Sequence, residues 1–130
     1  MSNADLARDY FRAVQEGNMA RLGELIDENV LWHQPGANRF SGELKGRDAV
    51  FGMIGQMMQL SNGTFAIDQV NSVLSNGDMV AATIHFTGQR DGASMSQDGV
   101  DVMRFKDGTI VEMWLFSGDQ PAEDAFWGRA

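Results

Sequence analysis

The residues of this chain best suited to chemistry are one acid, one phenol, and a short aromatic strand that ends in an amide. Asp101 lies in Val100-Asp101-Val102-Met103-Arg104-Phe105, which alternates like a β-strand. Side chains two apart on a strand share a face, so Asp101 is expected to point with Met103 and Phe105. A carboxylate beside Met and Phe suffers a desolvation penalty. It must be paired, wetted at a rim, or protonated with a raised pKa. Pockets that hold a reacting small molecule use acids of the last kind; an Asp wetted at a strand edge is the plain alternative. Tyr10 is the only tyrosine and lies mid-stripe in the first helical pattern. Its hydroxyl is expected to meet a ligand oxygen, or else backbone or water. Trp32 and Gln34 share one face of Val30-Leu31-Trp32-His33-Gln34. They are an aromatic wall and an anchor that both donates and accepts, or a core Trp and a Gln turned to water. His33 alternates to the opposite face and is a candidate base.

His33 and His85 are the only histidines, and cysteine is absent. Disulfides, thiolate nucleophiles and Cys-ligated metals are thereby excluded. Two isolated histidines without local His/Asp/Glu spacing are a weak metal signal, so neither a metal nor a cofactor is expected. His85, between Ile84 and Phe86, is expected on an outer face. Gly42-Glu43-Leu44-Lys45-Gly46-Arg47-Asp48 lacks the Gly-Lys-Ser/Thr ending of a phosphate loop. A net charge of −8 argues against nucleic acid or an anionic membrane as partner, because both require clustered Lys and Arg. The first residues lack the apolar stretch of a signal peptide, and no window approaches the roughly 18 apolar residues of a membrane span. A cytoplasmic protein is expected.

The elements that must position these groups follow from periodicity. Leu6, Tyr10, Phe11 and Val14 mark a helix over 4–16 with Asn3 as N-cap, and Met19, Leu22, Leu25 and Ile26 a shorter one over about 18–27. The strand 29–34 stops at Pro35-Gly36. A polar loop leads to Arg47-Asp48 and a third helix with Val50, Phe51, Ile54 and Met57 on its stripe. Strands are expected at roughly 64–74, 79–88, 96–106 and 109–117, with turns at Asn76-Gly77-Asp78, Arg90-Asp91-Gly92 and Lys106-Asp107-Gly108. The tail is polar until Phe126-Trp127, whose rings must cover something. Helices followed by a meander predict one α+β domain over residues 1–130. The expected architecture is a strongly curved antiparallel sheet wrapped as a cone over about three N-terminal helices, with its mouth open to a ligand. Ile84, Phe86, Met103, Met113, Phe51 and Leu115 are expected to supply the apolar lining. Arg104 is expected to form an outer-face ion pair, for instance with Glu112.

The order of elements resembles the NTF2-like, cystatin-like α+β barrel, and within it the ketosteroid isomerase and SnoaL-like polyketide cyclase branch. The residues carrying this are Asp9-Tyr10-Phe11-Arg12-Ala13-Val14, Trp32-His33-Gln34-Pro35-Gly36, the stretch from Val100 to Phe105, Asp107 to Trp114, and Phe126-Trp127. The resemblance implies a small apolar or polycyclic ligand, with Tyr10 and Asp101 as paired oxyanion donors for an isomerase- or cyclase-type enolate reaction. It also implies a homodimer through the outer sheet face, where Val102, His85 and Trp114 fall by parity. In the isomerases an Asp directly before a Pro is the base. Here Gln34 stands there, and an amide cannot abstract a proton near neutrality. The last-strand Asp of the limonene-epoxide-hydrolase relatives would fall near Leu115, which argues against that chemistry. A non-catalytic binding protein with the same cavity is therefore the alternative to an enzyme.

Overall fold

The computed structural model describes residues 1–129. Helix α1 (Asn3–Glu16) starts one residue earlier than expected. Ser2 is its cap, accepting from the Asp5 N–H while the Asp5 side chain accepts from the Ser2 N–H. The helix ends where Gly17 takes a left-handed conformation, φ 66°. Helix α2 (Met19–Leu25) runs directly into β1 (Ile26–Gln34). Then come β2 (Gly42–Lys45), α3 (Arg47–Leu60), β3 (Ala66–Asn76), β4 (Met79–Arg90), β5 (Ala93–Lys106), β6 (Thr109–Ser117) and α4 (Gln120–Trp127).

The sheet corrects the expected cone. Its order is β2-β1-β6-β5-β4-β3, with β2 and β3 as free edges, so it is neither closed nor strongly curled. It is also mixed: β1 runs parallel to β6, while every other neighbouring pair is antiparallel. Alternation along a strand specifies faces, whereas closure depends on stagger and tilt across all strands, which no local pattern encodes. Other differences are a β1 that begins at Ile26, inside the expected second helix, a short edge strand, β2, where a polar loop was expected, and a fourth helix, α4, in the tail. Among the described residues, no helix is long and apolar enough to cross a membrane.

The inner sheet face carries the core. Along β5 the buried positions Asp101, Met103 and Phe105 alternate with partly exposed Val102 and Arg104, as the strand period requires. Helix α4 closes one end. Trp127 is fully buried, with its ring edge-on to those of Phe40, Phe65 and Phe126 at centroid distances of 5.2, 5.2 and 4.8 Å. Two glycines permit close approaches, one to α4 and one between strands. Gly36 has φ +85°, and a Cβ there would run into Gln120 and Asp124 of α4. At Gly99 a Cβ would stand 2.7 Å from the Phe116 carbonyl oxygen and 2.9 Å from the Phe86 ring. Gly99→Ala is accordingly expected to destabilise the protein by about 1–3 kcal/mol, measured as a lowered urea midpoint with an unchanged m-value.

Candidate functional site

The inner face of the sheet and helices α1 and α3 enclose a cavity of about 450 Å³, within the range of small-molecule sites. Tyr10 lines it from α1, Trp32 and Gln34 from β1, and Ile84 and Phe86 from β4. Asp101 and Leu115 enter from β5 and β6, and Met53, Ile54 and Met57 from α3. Exposed Glu16, Met19, Met58 and Gly63 mark its mouth. Seven residues expected at the site thus share one cavity. Met103 and Met113 are fully buried core residues and Phe51 packs against the core, outside this lining.

Asp101 is 2% exposed, and its Oδ2 has no hydrogen-bond partner among the described residues. Burial first, and the charge of Glu123 second, push its carboxyl up from the ordinary 3.8 to about 7. Tyr10 is 4% exposed, and burial, followed by the charge of Asp101, raises its phenol above the usual range. The two groups face one cavity, yet no catalytic Tyr10–Asp101 interaction is formed among the described residues. Gln34 is buried, and its Oε1 accepts from Trp32 Nε1 at 3.0 Å. That bond uses the amide oxygen and leaves its N–H groups for other partners.

Glu123 is a cavity residue outside the set expected from the sequence. It is 4% exposed and lines the same cavity from α4. Its Oε1 accepts from Ser117 Oγ at 2.7 Å and Gln120 Nε2 at 3.1 Å, and its Oε2 from Trp127 Nε1 at 3.4 Å. A signal was present. Asp119 caps α4 with Pro121 in its first turn, and the spacing of Glu123, Phe126 and Trp127 puts the acid on the face of the buried rings.

His33 lies on the outer face, away from the cavity. Its Nε2 is 2.8 Å from Glu112 Oε2, and its ring stacks on Trp114 at 5.4 Å. The hydrogen bond from His33, and then that from Arg104 at 3.3 Å, hold the Glu112 carboxyl below the usual carboxylate range. His85 is also on the outer face, bridging Asp68 Oδ1 at 2.7 Å and Ser96 Oγ at 3.1 Å. The order of these three groups is that of a nucleophilic triad, but they lie across the outer surface of β3, β4 and β5, remote from the cavity. No cluster of three or more His, Asp or Glu side chains suited to a metal ion occurs among the described residues.

The SnoaL-like domain family profile matches residues 7–113, and the chain belongs to this family of the NTF2-like superfamily. A protein of unknown function with a cystatin-like fold from Xanthomonas campestris is 50% identical, with a TM-score of 0.96 over 99% of this chain and 100% of the other. Bal32a, from a soil-derived mobile gene cassette, is 34% identical, with a TM-score of 0.92 over 96% and 95%. The uncharacterized protein Rv0034 of Mycobacterium tuberculosis is 28% identical over 127 residues, covering 97% of this chain and 96% of the relative.

Proposed function

We propose that this protein binds a small, mostly apolar or polycyclic molecule in the cavity and holds it without converting it. The observation that carries this reading is Gln34. The position that would hold a proton-abstracting carboxylate carries an amide, and that amide is committed to Trp32. Its free N–H groups suit an acceptor on the ligand, while Trp32, Ile84, Phe86 and the α3 methionines supply apolar contact. Calorimetric titration with a polycyclic ketone tests it. Saturable binding is expected, weakened by about tenfold or more in Ile84→Trp, which fills the cavity. Absence of binding to any apolar probe refutes the reading.

One observation favours a second reading, an isomerase- or cyclase-type enzyme using Asp101 and Tyr10 as enolate donors: Asp101 is buried in the cavity lining, and that burial, then the charge of Glu123, pushes its carboxyl up to about 7, which suits it to donating a proton near neutrality. His33 would then need a path to the cavity from the outer face. Turnover of a β,γ-unsaturated ketone decides between the two. None is expected from the wild type. Activity gained in Gln34→Asp would mean that the two donors keep a productive geometry, and activity in the wild type would overturn the holding function. The outer sheet face, where Val102, His85 and Trp114 are only partly buried, is proposed as a homodimer contact, with light scattering as the check. A cytoplasmic location is proposed as well, and a lack of nucleic-acid or anionic-membrane partners accords with the net charge of −8.

A further inference from the structure

We infer that the ligand carries a cationic nitrogen, bound in the cavity beside Asp101 and Glu123. This rests on the ligand-binding reading and adds the chemical class of the ligand. Two carboxyls, each more than nine-tenths buried, line one cavity, and among the described residues no Lys, Arg or His lines it with them. Exposed Glu16 at the mouth adds a third group of the same sign. Of the elements around Asp101, α1 presents Tyr10 and Glu16 to the cavity and α4 presents Glu123. Strands β1, β3, β4 and β6 and helices α2 and α3 present no titratable side chain there. Glu123 has its oxygens occupied by Ser117, Gln120 and Trp127, whereas Asp101 Oδ2 has no partner.

Two neighbouring buried acids without a counter-charge are unfavourable. Either one of them keeps a proton or a cation joins them. In the protein alone burial, then Glu123, raises Asp101 to about 7, so near neutrality its proton is readily given up to an incoming positive charge. An ammonium group would satisfy Oδ2, gain from Glu123, and lie among Trp32, Phe65 and Phe86, whose ring faces attract cations. An anionic ligand would meet the charge of Glu123 with no basic side chain to offset it.

The test uses three probes on one naphthalene frame: 2-naphthylmethylamine, 2-naphthylmethanol and 2-naphthoic acid, titrated calorimetrically into the intact protein. At about pH 8 the amine is expected to bind at least about tenfold more tightly than the alcohol, and the acid most weakly. At about pH 6, with Asp101 largely protonated, the preference for the amine should shrink several-fold. Asp101→Asn should remove most of it while the alcohol still binds, and Glu123→Gln should reduce it independently. An alcohol or acid that binds as tightly as the amine overturns this inference and leaves the pocket reading standing. Failure of all three probes overturns both.

Discussion

Trp127→Ala is expected to lower the unfolding free energy by about 3–5 kcal/mol, the range for truncating a large buried aromatic. The ring is fully buried and meets Phe40, Phe65 and Phe126 edge-on. It joins the last helix to the β1–β2 loop, to the segment before β3, and to its own neighbour. Partial collapse cannot refill that space, because the groups around it belong to different elements. Function should fall with stability. Helix α4 has only eight residues, too few to persist without packing, and it alone delivers Glu123 to the cavity. Urea unfolding followed by circular dichroism measures the first effect and probe titration the second. Trp127→Phe separates packing from hydrogen bonding, since it keeps most of the ring contact but loses the N–H donated to Glu123. A loss below about 1 kcal/mol in the alanine variant would show that α4 is not docked as described.

Asp101→Asn is expected to change how stability depends on pH. The folded carboxyl titrates near 7 and the unfolded one near 3.8. Between these values the native state holds a proton that the unfolded chain has released, so stability falls as pH rises. The contribution of Asp101 is complete below about 3.8 and is lost by the time pH has passed about 7. It amounts to at most about 4 kcal/mol. Glu112 has the opposite sign, because His33 first and then Arg104 lower its carboxyl, and its contribution is lost as pH falls. The difference between wild type and Asp101→Asn isolates the buried acid. The variant should gain steadily relative to wild type between about pH 4 and pH 7. Parallel stability curves for the two proteins would mean that Asp101 titrates as an ordinary surface acid.

The face that each chemical group takes was legible in the residues themselves. Strand parity alone put Asp101 with Met103 and Phe105, Trp32 with Gln34, and His33 and His85 on the far side, because a two-residue period leaves no other choice once a strand is granted. The ion pair of Arg104 with Glu112 follows from the same parity, since the β5–β6 register sets the two opposite each other. Met103 and Met113 pair across that register too, but facing inward does not distinguish packed core from cavity wall. That distinction is a matter of where the helices leave space.

What the sequence determined by itself is the α+β class, the elements with strong periodicity, and the face to which each chemical group turns, all properties of a few consecutive residues. Tertiary structure decided that the sheet stays open, that β1 lies parallel beside β6, and that Glu123 joins Asp101 in one cavity. Each of these brings together segments far apart in the chain. Their energies come from packing and from charge in a low-dielectric space, terms that exist only once the distant segments have met.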